Sequence, residues 1–232
     1  MATSRSPGDF TESVAGTSQT DQAYERLREA IIGLDLKPGA LYTEAQLAEF
    51  VGLGRTPVRE ALHRLIREEL VSTRRNRGIQ VTPIDVIRQL QLLDVRRALE
   101  RLLAERACAQ ATELERREML RLADVTEASA ADNDIKAFLA VNRDVQDLKA
   151  RAAHNEILQS TMDLFFGLSR RFWVAYSPRI PESLQTASRL HARVLRAIAV
   201  ADRDAAASST NELLDFLEEF TRRTVDLRIA VG

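Results

Sequence analysis

Gly54-Arg55-Thr56-Pro57-Val58-Arg59-Glu60-Ala61-Leu62-His63-Arg64 orders the reading of the whole chain. Val58, Leu62 and Leu65 recur at helical spacing and form an apolar stripe, while Arg55, Thr56 and Arg59 gather on the other side of the first turns. Pro57 is compatible with a first turn, where N–H groups have no intrahelical partner to lose. A short helix precedes across the tight Val51-Gly52-Leu53-Gly54 turn. Two helices so joined, the second opening on guanidiniums, have the geometry of a helix-turn-helix, which brings the start of its second helix to base edges and phosphates in the major groove.

Upstream, Tyr24, Leu27, Ile31 and Leu34 predict a first helix from Gln22 to Gly33, followed by a turn at Lys37-Pro38-Gly39. Thr43 with Gln46 has the form of a capping box opening the second helix, in which Leu47, Ala48 and Val51 are the apolar contacts. The third helix is expected over 55–69. Leu70–Arg74 and Ile79–Thr82 then read as two extended stretches around Arg75-Asn76-Arg77-Gly78, whose Asn and Gly supply the turn chemistry of a β-hairpin. Three helices and a basic-tipped hairpin make a winged helix, ended by Thr82-Pro83.

From Ile84 the pattern is helical only, with segments expected at 84–107, 112–131, 134–152, 155–177, 182–201 and 203–229. The fold class is therefore mainly α: a winged helix-turn-helix over 20–82, then an all-helical antiparallel bundle of about six helices over 83–232. Residues 1–19, rich in Ser, Thr, Gly and Asp, read as a flexible tail.

At 232 residues and 45% hydrophobic content the chain can bury one or two cores, and its net charge of −1 excludes a global nucleic-acid signal. Basicity is local: seven arginines stand against Glu60, Glu68 and Glu69 between Gly54 and Gly78, a balance of 7 − 3 = +4. The single Cys108 excludes an intramolecular disulfide and fits a reducing cytosol. No apolar run reaches the roughly 18 residues of a membrane span, and the first residues lack the apolar core of a secretory signal. A cytoplasmic protein without membrane partners is expected.

Tyr24-Glu25-Arg26-Leu27-Arg28 with Ala30-Ile31, Leu36-Lys37-Pro38-Gly39, Leu47-Ala48, Arg55-Thr56-Pro57-Val58-Arg59-Glu60-Ala61-Leu62 and Arg77-Gly78 resemble, in order and spacing, the winged-helix head of the GntR transcription factors. The helical remainder, with Val95-Arg96 and Leu99-Glu100 in its first helix, is similar to the effector-binding FCD domain of the FadR subfamily, and six helices rather than seven resemble its VanR-type branch. Two positions depart from the pattern: Gly54 stands where Ser or Thr is usual, and Glu69 where Gly usually precedes the wing.

The resemblance implies a regulator binding double-stranded operator DNA through Arg55, Thr56, Pro57, Arg59 and Arg64 of the helix and Arg74, Arg75, Asn76, Arg77 and Gly78 of the wing. Without it, the same residues read as a solvated basic face, with Glu60 pairing Arg64 at i,i+4, and as an edge hairpin protected by charge. His63 reads as surface. One small head makes few phosphate contacts, so a homodimer on an inverted repeat is expected. Repression released by ligand is the commoner behaviour in the family.

Leu92, Arg96, Leu99 and Leu103 share one stripe. A buried arginine there needs an anion. Glu100 at i+4 can provide it, or the tail can snorkel out, whereas the resemblance implies that Arg96 holds a small organic acid. It also implies a divalent metal, Zn or Ni, held by one Asp and three His. Those places here are Asn142, Gln146, His191 and Asp215. Amides ligate transition metals poorly, so a metal-free pocket in which Asn142, Gln146 and His191 hydrogen-bond the effector is preferred, with a satisfied core histidine as the alternative for His191. Phe165, Phe166, Phe172, Trp173 and Tyr176 read as core. A helical enzyme fused to a winged helix is the competing function. Against it, the helical part offers two histidines, one cysteine and no glycine-rich phosphate loop.

Overall fold

The computed structural model describes residues 18–130, 135–180 and 182–229. Ser18 caps α1 (Gln19–Ile32), its hydroxyl accepting from the Asp21 amide at 3.0 Å, so this helix begins three residues before the expected Gln22. Residues 1–17 of the expected tail lie outside the described residues. The reciprocal Thr43/Gln46 capping box opens α2 (Glu44–Val51), and Gly52, with φ 66°, ends it. After the turn, α3 (Arg55–Arg67) starts from Gly54 without a side-chain cap.

The hairpin pairs β2 (Val71–Arg74) with β3 (Gly78–Val81), Val71 opposite Val81 and Arg74 opposite Gly78, with Asn76 at φ 57° in the turn. A two-residue strand that the sequence does not announce, β1 (Leu41–Tyr42), covers the other edge of β3 and gives the order β1-β3-β2. That pairing explains Gly78: with φ +94°, an added Cβ would lie 2.5 Å from the Tyr42 carbonyl oxygen. Glu69 adopts φ 58°, so the chain turns into the hairpin in the left-handed conformation that suits glycine. Leu27, Ile31, Leu47, Val58, Leu62, Leu65 and Val81 close the core of this head.

Among the described residues six α-helices follow: α4 (Val86–Gln110), α5 (Glu113–Ser129), α6 (Ile135–Ala152), α7 (Glu156–Tyr176), α8 (Glu182–Ala199) and α9 (Arg203–Ile229). The expected break at Asp132-Asn133-Asp134 lies outside the described residues. α4 packs along α9, α5 along α8, and α8 along α9. Trp173 stacks on Phe220 with ring centroids 4.3 Å apart, and Phe172 and Tyr176 are buried beside it, as expected of core aromatics. Among the described residues no helix is long and apolar enough to cross a membrane.

Head and bundle meet along α1 and α7. Leu168 packs on the head's core, and Arg28 reaches the Asp163 carbonyl (3.3 Å) while its Nε donates to Glu68 (3.1 Å). Arg143 and Arg170 pair with Glu29 at 3.0 and 3.4 Å. Arg171, buried, donates to the hydroxyl and the carbonyl of Thr82 in the linker.

Candidate functional site

The exposed side of α3 carries Arg55, Thr56 and Arg59, with Pro57 half-buried in the first turn and His63 exposed one turn on. Arg59 is oriented by α2. Its Nε and Nη2 donate to the Glu44 carboxylate at 3.1 and 2.7 Å, a hydrogen bond that also holds the Glu44 carboxyl below the usual carboxylate range. Arg55 and the wing-tip Arg75 and Arg77 are exposed and form no salt bridge among the described residues, and Asn76 is exposed between the last two. Arg74 lies along the hairpin with Nε donating to Gln80 at 2.7 Å. Gly78 sits beneath the tip, packed on Tyr42 rather than left open.

Arg64 is a correction. At 3.6 residues per turn it stands half a turn round the helix from Arg55, against α1, where Nη1 donates to Asp21 at 2.7 Å and the guanidinium lies 3.7 Å over the Tyr24 ring. It clamps α3 to α1 instead of joining the outward set. The Glu60–Arg64 pair does not form either, because Glu60 accepts from Thr20 at 2.6 Å.

The second site is a cavity of about 30 Å³, lined by Arg96, Asn142, Gln146 and His191 together with Phe138, Phe166, Ser169, Arg170 and Trp173. Room of this size admits one or two water-sized groups, so a larger ligand needs the lining side chains to move apart. All four residues expected to hold an effector are thus brought together, from α4, α6 and α8. Asp215 is not: its carboxylate is 71% exposed on α9 and pairs with Arg97 at 2.7 Å.

The i+4 pairing foreseen for Arg96 forms, but inside the bundle and with a third member. Arg96 Nη2 donates to Glu100 at 2.7 Å, and the Lys149 ammonium donates to the other Glu100 oxygen at 2.9 Å. Arg96 and Glu100 are 3% and 1% exposed, and Lys149 is 1% exposed. Burial opposes the Glu100 charge, yet the Lys149 and Arg96 cations outweigh it and hold the pKa at about 2. Arg96 Nη1 donates to Ser169 at 2.9 Å, and Phe166 lies 5.2 Å from the guanidinium. Asn142 Nδ2 meets His191 Nε2 at 3.0 Å. Burial, then Lys149 and Arg96 against Glu100, press the imidazole pKa down to about 3, so His191 is neutral at physiological pH. Arg96 Nε, Gln146 Oε1 and His191 Nδ1 are buried without a hydrogen-bond partner.

A divalent metal does not suit these residues. The donors near one another are one imidazole and two amides, the fourth place faces solvent, and two buried cations stand where a third would be added. Among the described residues no group of three His, Cys, Asp or Glu could hold one. Sequence reasoning missed Lys149 and Ser169. Lys149 had a signal, since 142, 146 and 149 fall on one face of α6.

A winged head with outward guanidiniums, carried on a helical bundle around a polar cavity, defines the class of two-domain DNA-binding regulators. Comparison with known proteins makes it specific. Residues 19–81 match the bacterial regulatory proteins of the gntR family and residues 91–216 match the FCD domain, so the chain belongs to the gntR-family regulators that carry an FCD domain. It is 36% identical over 85 residues to an HTH-type transcriptional regulator in an unstable DNA locus of Streptomyces ambofaciens, covering 37% of this chain and 36% of that one. It is 25% identical to the putative L-lactate dehydrogenase operon regulatory protein of Escherichia coli (strain K12), covering 88% of this chain and 86% of that one. The E. coli McbR/YncC structure shares the fold with a TM-score of 0.80 at 21% identity, over 90% of this chain and 100% of that one. The relatives named here are described as transcriptional regulators, the function the resemblance implies rather than the competing one.

Proposed function

We propose that the chain is a ligand-responsive transcriptional regulator, working in the cytoplasm as a homodimer on an inverted repeat, with residues 20–82 reading DNA and 83–232 sensing and dimerising. Arg55 and Arg59 read bases or phosphates, Thr56 and Pro57 place the start of α3 on the backbone, and Arg74, Arg75, Asn76 and Arg77 follow phosphates or the minor groove, with Gly78 shaping the wing. Arg96, Asn142, Gln146 and His191 hold a small carboxylate whose binding releases the operator, and the six-helix bundle is that of the VanR-type branch of the FadR subfamily. Arg96 supports this reading most. It is a buried guanidinium that shares the Glu100 carboxylate with Lys149, and among the described residues its Nε–H faces no acceptor.

Gel shifts with the promoter beside the coding region, across a salt series, test the DNA half. The expected logarithmic slope is near −0.9 per phosphate neutralised, and Arg55→Ala with Arg59→Ala should abolish selective binding; a salt-independent shift overturns it. Thermal-shift screening of small organic acids tests the sensing half, and stabilisation that persists in Arg96→Ala removes the carboxylate anchor.

A further inference from the structure

Among the described residues three arginines are buried. Arg28 pairs with Glu68 and Arg96 with Glu100, but Arg171, 2% exposed, forms no ion pair. Its Nη1 and Nη2 donate to the Thr82 hydroxyl and carbonyl, both neutral, and its Nε has no partner. Burial alone presses its pKa down to about 10, so the guanidinium still carries its charge at neutral pH. A buried cation bonded only to neutral oxygens calls for an anion. Arg171 also lines a cleft of about 1040 Å³ between head, linker and bundle. The apolar lining includes Ile66 at the end of α3, Ile84 in the linker, Ile87 and Leu92 on α4, and Phe165 and Leu168 on α7. Ile87 is 69% exposed there. The other charged groups of the cleft, Glu69, Asp85 and Arg88, are all exposed. Glu69 pairs with Arg88, and the Asp85 carboxylate caps α4, accepting from the Arg88 amide at 2.8 Å. With Arg171 the formal balance is 2 − 2 = 0, yet both acids stand at the solvent-facing rim, and only Arg171 is charged at depth.

We propose that this cleft binds a free amphiphile with one anionic head, held by the Arg171 Nε–H, and an apolar body lying over Phe165, Leu168 and Ile87. It is a second ligand site. It shares no lining residue with the Arg96 cavity, so it stands whether or not Arg96 holds a carboxylate. Its volume suits a ligand with an extended apolar body, in a recess mostly apolar with a single convergent charge. The depth of Arg171 puts it beyond a headgroup held in a membrane surface and within reach of a free molecule. The site also straddles the linker. Val71 and Ser72 of β2 form part of one wall and α4 and α7 the other, while the guanidinium that takes the head also holds Thr82, where the chain leaves β3. A bound amphiphile therefore braces the head against the bundle.

Calorimetry on the full chain at neutral pH, with each probe below its micelle concentration, compares decanoate, octanoate and decanol. Decanoate should bind tightest. Octanoate should be about tenfold weaker for two buried CH₂ groups fewer, and decanol at least tenfold weaker for want of the charge-assisted bond. Arg171→Met should abolish the preference for decanoate over decanol while decanol still binds, which mere loss of the Thr82 tie would not produce. Should that variant fold poorly, Ile87→Glu at a solvent-exposed position puts a negative charge at the mouth, and should weaken decanoate about tenfold and more than decanol. Arg96→Ala should leave every affinity unchanged. No binding of decanoate, equal affinity for decanoate and decanol, or a decanoate preference that survives in Arg171→Met overturns the proposal. So does decanoate binding lost in Arg96→Ala, which assigns the probe to the bundle cavity instead. A dimer that dissociates in Ile87→Glu by sedimentation, with decanoate affinity unmoved, also overturns it and marks the cleft as an interface between copies of the chain.

Discussion

Glu44→Ala should weaken operator recognition although it removes a negative charge from a DNA-facing surface. Glu44 takes the side edge of the Arg59 guanidinium, the Nε and Nη2 donors at 3.1 and 2.7 Å. That leaves the end edge, one hydrogen each on Nη1 and Nη2, in the fork that matches guanine O6 and N7. Both side chains keep solvent contact, 63% exposed for Arg59 and 34% for Glu44, so the solvent-screened pair adds little to folding and the head should remain intact. Its effect lies in order. Immobilising a rotamer-rich side chain on binding costs about 0.5–1.5 kcal/mol, and an Arg59 already held avoids that in each half of the proposed dimer. Freed of Glu44, two such side chains lose about 1–3 kcal/mol of specific affinity, a factor of about 5 to 150. Non-specific binding, governed by phosphate neutralisation, should hold or improve slightly. Fluorescence anisotropy with operator and scrambled duplexes at equal salt reads the ratio of the two. A mutant that binds the operator more tightly, with the ratio unchanged, would show Glu44 to be a repulsive charge only and refute the reasoning.

Glu69→Gly relieves a left-handed backbone at φ 58°; the penalty of about 1 kcal/mol, less the extra freedom of the unfolded glycine, should raise Tm by about 1–3 °C in a thermal melt. Gly78→Ala does the opposite, because its Cβ meets the Tyr42 carbonyl oxygen at 2.5 Å; a loss of about 1–3 kcal/mol and faster amide exchange in β1 are expected, and unchanged exchange there contradicts it. His191 has a folded pKa of about 3 against 6.5 for the free side chain, so the unfolded chain binds the proton first and stability falls as pH drops below 6.5. By pH 5 the loss is about 2 kcal/mol. Glu100, also depressed, adds its loss only below its ordinary 4.5. Urea titrations at pH 7 and 5 should therefore show a drop that disappears in His191→Gln, and equal drops in parent and variant would discard it.

Local chemistry made much of this legible in the sequence. The Thr43/Gln46 box, Gly52 and the Asn76–Gly78 turn act within three or four residues, and period-3.6 stripes located all six bundle helices. Arg96, Asn142, Gln146 and His191 were singled out largely through the family resemblance, and the structure places them around one cavity. What stayed hidden depends on distant partners. Lys149 shares a face of α6 with Asn142 and Gln146, but its role shows only when Glu100, 49 positions away, comes to lie 2.9 Å from its ammonium. Arg64 reads as part of a basic face until Asp21 and Tyr24 on α1 capture it. β1 is two residues long, too short for any periodicity, and exists only because β3 offers it an edge.

The two sites are not independent, because one helix serves both. Within six residues α7 turns Phe166 and Ser169 to the cavity, Leu168 to the head's core and Arg171 to the linker at Thr82. Gly167 lies against Arg28 so closely that a Cβ there would stand 2.8 Å from its Nη2. Arg28 in turn binds Glu68, the residue that ends α3. If a ligand at Arg96 displaced Ser169 from Nη1, α7 would press on Arg28 on moving towards the head and pull on Thr82 on moving away from it. Close packing on both sides makes such an element switch between arrangements rather than bend. A ligand acting at Arg96 would reach the end of α3 through three contacts joined by the backbone of α7: Arg96 to Ser169, Gly167 to Arg28, and Arg28 to Glu68.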